Sequence, residues 1–188
     1  ISVFDLTDIH QPATINSIPV SPGAANSVDV HDGKLAVAIE ASNKQMPGKI
    51  NVYDTESQSM LASYAVGALP DMVTFSPNGQ YIVSANEGEP NDEYTVDPEG
   101  SVSIIKTATA EVTTLTFEAF NNQQADLMAQ GLRIFGPGAT LAQDLEPEYV
   151  AISDNSSIAW VSLQENNGMA RINLNTKQRE GIYPLGFK

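Results

Sequence analysis

Three copies of one two-strand pattern, a 45-residue step between the first two, and turn residues between the alternating strands predict an all-β chain. The architecture that fits is a β-propeller of four-stranded antiparallel blades with one short helical insertion. The copies run from Ser27 to Ala38, from Met72 to Ser84 and from Tyr149 to Val161. Each reads as an alternating strand, a polar turn and a second apolar strand. Asp32-Gly33 and Asn78-Gly79 suit tight hairpins because these residues tolerate positive φ. Val28 to Val73 is a step of 45 residues, and Val73 to Val150 is 77, because an extra segment intervenes. Such blades close a ring at about four to eight copies. The count here is half a blade plus three, read as part of a seven-bladed ring.

The elements follow in order. Ile1 to Leu6 matches the third strand of an earlier unit and Ile15 to Val20 its fourth, making residues 1–22 half a blade. In the blade at 27–67, Gly48 to Val52 is the third strand and Leu61 to Val66 the fourth. In the blade at 72–118 these are Gly100 to Ile104 and Val112 to Phe117. The insertion at 119–144 has Ala125, Leu127, Met128 and Leu132 among strong helix formers, which predicts a helix over Asn122 to Gln130 ended by Gly131. A Gly136-Pro137-Gly138 turn follows. The insertion is expected to cap an open face or a blade gap, with a substrate lid as the alternative. The last blade, 148–188, has Gly168 to Ile172 and Gly181 to Leu185 as its outer strands. The whole reads as a single partial propeller. Its start at Ile1 and its stop at Gly186-Phe187-Lys188 look like cuts in a longer protein.

Composition narrows the function classes. A hydrophobic fraction of 41% over 188 residues supports one real core. Nine Lys and Arg against 23 Asp and Glu give a net charge of -14, which repels phosphate backbones and anionic lipid, so nucleic acid is not an expected partner. With no cysteine, a disulfide scaffold, a thiolate zinc site, an iron–sulfur cluster and a cysteine nucleophile are excluded. No apolar run approaches the roughly 20 residues of a membrane span. His10 and His31 are the only histidines, each in or near a turn, and no Ser-His-Asp set, P-loop or HExxH stands in the chain. Trp160 and the tyrosines fall on strand positions as packing groups.

The carboxylates fall in a pattern. Each second strand ends in a glutamate: Glu40, Glu87 and Glu165. First strands begin beside Asn26, Asp71 and Glu148. Antiparallel order puts all of these on one face near the central channel, with Asp71 near Glu87 and Glu148 near Glu165. Like charges so placed call for raised pKa values or a cation. The loop from Glu87 to Glu99 adds Glu89, Asp92, Glu93 and Asp97 with no Lys or Arg, stiffened by Pro90 and Pro98 and bracketed by Gly88 and Gly100. Hard oxygen ligands on a constrained loop suit Ca²⁺, although the spacing is not that of an EF-hand. The candidate metal ligands are Glu40, Asp71, Glu87, Glu89, Asp92, Asp97, Glu99, Glu148 and Glu165; a solvated acidic loop is the competing reading. A second acidic run, Asp144-Leu145-Glu146-Pro147-Glu148, leads into the last blade, read either as a polar turn before a strand or as a ligand segment.

Asn86-Glu87-Gly88-Glu89-Pro90-Asn91-Asp92-Glu93-Tyr94, Gly131-Leu132-Arg133-Ile134, the run from Asp144 to Val150, Leu163-Gln164-Glu165-Asn166-Asn167 and Tyr183-Pro184-Leu185-Gly186 resemble the choice-of-anchor I proteins of bacteria, themselves similar to the mesenchyme-specific cell-surface glycoproteins of animals. The resemblance implies a secreted, periplasmic or cell-surface propeller longer than this chain. Some relatives carry an alkaline-phosphatase label. The expected function is Ca²⁺ binding in adhesion, in contact with matrix, mineral or a surface polymer. The alternative is a Ca²⁺-dependent phosphoesterase resembling propeller phytases, with a lactonase behind it. Open edge strands should pair with missing blades or with a second copy.

Overall fold

The computed structural model describes residues 1–187. Fourteen strands form one two-stranded and three four-stranded antiparallel sheets whose order follows the chain. The small sheet holds β1 (Ser2–Asp5) and β2 (Ala13–Ser17). The first full blade is β3 (Ala25–His31), β4 (Lys34–Ile39), β5 (Pro47–Asp54) and β6 (Met60–Ala68). The second is β7 (Pro70–Phe75), β8 (Tyr81–Asn86), β9 (Ser101–Lys106) and β10 (Glu111–Thr116). The third is β11 (Pro147–Ile152), β12 (Ile158–Leu163), β13 (Gly168–Asn173) and β14 (Gln178–Pro184). This is the all-β, propeller-like arrangement the repeats predict.

Turn chemistry sets each hairpin. Asp32 and Gly33 both hold positive φ, 44° and 71°, the two-residue turn whose twist matches the strands it joins. The other two hairpins use a Ser-x-Asn loop. Ser76 Oγ donates to Asn78 Oδ1 at 2.9 Å and accepts from Tyr81 N at 3.0 Å. Ser153 Oγ repeats this with Asn155 Oδ1 at 2.8 Å and Ile158 N at 3.0 Å. In both copies the serine ties the loop to the incoming strand.

Because side chains alternate between sheet faces, each blade buries one face on its predecessor and the other on its successor. Val73 and Phe75 of the second blade pack on Ala36, Ala38, Ile50 and Val52 of the first. Val83, Ala85, Val102 and Ile104 pack with Val150, Val161 and Ile172 of the third. Asp29 Oδ2 accepts from Phe75 N at 2.7 Å and from Thr74 Oγ1 at 3.0 Å, fastening β3 to β7. The small sheet lies on Val37, Ile39 and Tyr53 through Ile18, Ile1 and Val3.

Two elements differ from expectation. β2 covers Ala13–Ser17, not Ile15 to Val20. Pro19 and Pro22 cannot donate to a ladder, so the strand stops at Ser17 and Ile18 turns into the core. The expected helix over 122–130 is a 3₁₀ segment, Glu118–Gln123, running into α1 (Gln124–Ala129), with Gly131 at φ 105° just beyond its end. A further helix, α2 (Leu141–Asp144), opens with a capping box between Thr140 and Gln143. Leu127, Leu132, Leu141, Ala142 and Leu145 join the core between the second and third blades, so the insertion is packed structure. Among the described residues no helix is long and apolar enough to cross a membrane.

Candidate functional site: an acidic basin at one end of the blades

Register brings the carboxylates together. Pro70 pairs with Asn86 and Pro147 with Leu163, so the starts of β7 and β11 lie beside the ends of β8 and β12. That places Asp71 near Glu87, and Glu148 near Glu165. Gly88 holds φ 70°, and a side chain there would strike the Glu99 and Gly100 backbone at 2.7 Å. A Cβ on Gly100 would come within 1.8 Å of Leu145 O. The two glycines therefore pinch the base of the 87–99 loop and seat it on the insertion. Asn91 organises the loop tip: its Oδ1 accepts from Thr95 N and Val96 N at 2.8 and 2.9 Å.

Burial and mutual repulsion shift these acids upward. Burial pushes the Glu87 carboxyl up to about 8, helped by Asp71, Glu89, Glu146 and Glu148. Glu146 rises to about 7 through burial and then Glu165, Glu89, Asp144 and Glu148. Asp71 is raised by burial and by Glu40, and Glu148 by burial, Glu165 and Asp71. No Lys or Arg is among the groups acting on these four. The described ion pairs, Arg171 with Glu180 and Lys177 with Glu111, involve strands β13, β14 and β10 and the β13–β14 turn, none of them in the basin.

Beside this row an open cavity of about 560 Å³ is lined by Glu89, Asp92, Asp97, Asp144, Glu146 and Glu165, with Tyr94 and Phe135 at its apolar side. Asp97 is raised by burial and then by Asp144, and its Oδ1 is buried with no hydrogen-bond partner. Asp144 is held in place: Oδ1 accepts from Phe135 N and Gly136 N, and Oδ2 accepts from Asn166 Nδ2 at 3.0 Å. Asn166 also donates to Arg133 O and Asp144 O, and its Oδ1 accepts from Glu146 N at 3.1 Å.

Of the sequence candidates, Asp71, Glu87, Glu89, Glu148 and Glu165 form the basin, with Glu40 at its margin and Asp92 and Asp97 on the cavity. Glu99 turns away, toward Thr116 and Glu118. Glu146, Asp144, Tyr94 and Phe135 complete the site and were not among the candidates. The acidic run from Asp144 to Glu148 was the signal for the first two. Nothing in the local pattern marked the aromatic pair, which the insertion and the loop bring together from 41 residues apart. The donor set has the hard-oxygen chemistry that Ca²⁺ takes. Yet among the described residues no three His, Asp or Glu side chains stand close enough to form a ready-made ligand group.

A family model for the choice-of-anchor I domain matches residues 1–188. No curated protein matches. Solved structures agree on the fold at low identity. A Kuenenia stuttgartiensis hydrazine synthase chain has a TM-score of 0.63 at 13% identity, over 92% of this chain and 54% of that one. The WD40 repeats of RRP9 give 0.58 at 11%, over 88% and 40%. A functionally unknown protein from Desulfotomaculum acetoxidans gives 0.58 at 14%, over 96% and 48%. The chain thus spans about half, or less, of the propellers it resembles. The chain belongs to the choice-of-anchor I family, whose domains point to surface or secreted proteins.

Proposed function

We propose that this propeller binds Ca²⁺ in its acidic basin and serves in adhesion, matrix or mineral contact at the cell surface or outside it. One observation carries the reading. Asp71, Glu87, Glu89, Glu146, Glu148 and Glu165 converge at one end of the blades with no basic side chain acting on the raised acids. Burial, and then the repulsion of these neighbours, pushes Glu87 up to about 8. A cation arriving there would relieve the repulsion, and Glu87 and Glu146, the acids pushed highest, are the residues that would hold it. A phosphoric-ester hydrolase would need a cationic group to meet the phosphoryl oxygens. The cavity lining contains no Lys or Arg, which favours binding over hydrolysis.

Thermal unfolding with Ca²⁺, Mg²⁺ or chelator tests the reading. Ligand at a hundred times its Kd stabilises by about 2.7 kcal/mol, a rise in Tm of roughly 5–10 °C for a domain of this size. The Glu87→Gln, Glu146→Gln double variant should lose that rise. A Tm indifferent to Ca²⁺ would contradict the reading, and turnover of p-nitrophenyl phosphate only with Ca²⁺ would favour the hydrolase.

A further inference from the structure

The cavity beside the basin has two unlike walls. One is acidic, from Glu89, Asp97, Asp144, Glu146 and Glu165, and the other carries Tyr94 and Phe135. Both rings are exposed, at 51% and 60%, and neither stacks on another ring of the described residues. Chain geometry holds them there. Tyr94 N donates to Asn91 O at 2.8 Å, and the residue keeps φ at 52°, a conformation that an aromatic residue adopts only where its surroundings impose it. Gly136, next to Phe135, joins the two walls: a Cβ there would stand 3.9 Å from Tyr94 Cε1 and 3.0 Å from Asp144 Oδ1. Asp97 adds an independent observation. Gln143 Nε2 donates to Asp97 O at 3.2 Å, which ties its backbone to α2. Yet Asp97 Oδ1 is the one buried side-chain oxygen among the described residues with no hydrogen-bond partner. An unpaired buried acceptor costs stability, which a donor arriving with a ligand would recover. At about 560 Å³ the cavity is of the size that takes a small organic molecule.

We propose that this cavity binds a small aliphatic amine in its ammonium form, its N–H groups on Asp97 Oδ1 and the neighbouring acids, its methylene chain against Tyr94 and Phe135. Several features select that ligand. An all-acid wall admits cations and rejects anions. Exposed aromatic faces attract an ammonium group with its adjoining methylenes, whereas a hydrated divalent ion draws little from them. The acids stand apart around the wall, with no three among the described residues closed up as a metal ligand set. Asp144 is already occupied, since its oxygens accept from Phe135 N, Gly136 N and Asn166 Nδ2, which leaves Asp97 as the anchor. A long polycation fits less well. The neighbouring cavity shares Glu89 and Asp92 across the 87–99 loop but presents Lys44, and the run of negative charge stops there. Glu87 does not line the cavity, so the proposal does not rest on Ca²⁺ binding in the basin.

Calorimetric titration of the full chain with n-butylamine tests this, with n-butanol as the neutral match for the carbon chain. A lysyl peptide with blocked ends presents the same alkylammonium group on a polypeptide. The amine should bind and the alcohol should not. Asp97→Asn and, separately, Tyr94→Ala with Phe135→Ala should each weaken the amine by about tenfold. The exposed aromatic positions spare the fold, and any rise of Tm with Ca²⁺ should persist in the aromatic variant. No heat with n-butylamine overturns the proposal, and so does binding unchanged in the aromatic variant, which marks a diffuse counter-ion. Tighter binding of the peptide overturns the small-molecule assignment in favour of a partner's lysine side chain. A Tm indifferent to Ca²⁺ with amine binding intact supports the proposal and counts against the Ca²⁺ reading alone.

Discussion

Glu87 is where sequence position, packing and charge meet most sharply. Below the ordinary carboxylate range both the folded and the unfolded chain hold its proton, and the group does not affect stability. Between that range and about 8 the folded chain keeps a proton that the unfolded chain has released. Stability therefore falls as pH rises, and the full penalty stands above about 8. Glu87→Gln should match the wild type near pH 4 and exceed it by roughly 1–2 kcal/mol at pH 8.5, with solvent screening allowed for; urea unfolding at the two pH values reads the difference. Gly100 is the steric counterpart. With a Cβ 1.8 Å from Leu145 O, Gly100→Ala must displace backbone, and a loss of about 2–3 kcal/mol in the same experiment is expected. Both residues were legible in the sequence, Glu87 as the acid ending a second strand and Gly100 as the close of a stiffened loop. Their energetics were not, because burial of Glu87 depends on how the blades and the insertion pack, and the Leu145 contact comes from 45 residues away.

At the scale of elements, period-two alternation and turn residues located the full blades, since strands that bury both faces against neighbouring blades carry their pattern locally. The misplaced strand and helix fell where local signals compete. Prolines cut β2 short, and a 3₁₀ segment over Glu118–Gln123 precedes α1. Thr140-Leu141-Ala142-Gln143 is a capping-box pattern that does mark α2. The insertion's anchoring was hidden, because it depends on Asn166, fully buried and bonded to Arg133, Asp144 and Glu146. Asn166→Ala should leave these buried groups unpaired and cost about 2–3 kcal/mol. Hydrogen exchange should localise the loss, with faster exchange at the Glu146 amide, whose acceptor is Asn166 Oδ1, and little change in β4 and β5.

Over the whole molecule, the propeller architecture makes the acidic basin possible. Meandering blades return every second strand to one end, so acids spaced by the repeat arrive together without any local motif that names a ligand set. Strand-end logic singled out Glu40, Asp71, Glu87, Glu148 and Glu165, which lie near one another at this end of the blades; Glu89, Asp92, Asp97 and Glu99 came from the acidic loop. Within that loop the Glu99 side chain lies toward Thr116 and Glu118, and Glu146 belongs to the acidic run beside Glu148, which was read as a turn or a ligand segment without singling it out. A net charge of -14 works against compaction unless counter-ions gather, and the basin is where a bound cation would relieve most. Calorimetric titration of Ca²⁺ at pH 7, in two buffers of different ionisation enthalpy, tests this most directly. Binding that releases protons, so that the observed heat depends on the buffer, and that disappears in the Glu87→Gln, Glu146→Gln variant is the predicted result. No binding heat in either buffer, or binding untouched by that variant, would contradict the acidic basin as the cation site.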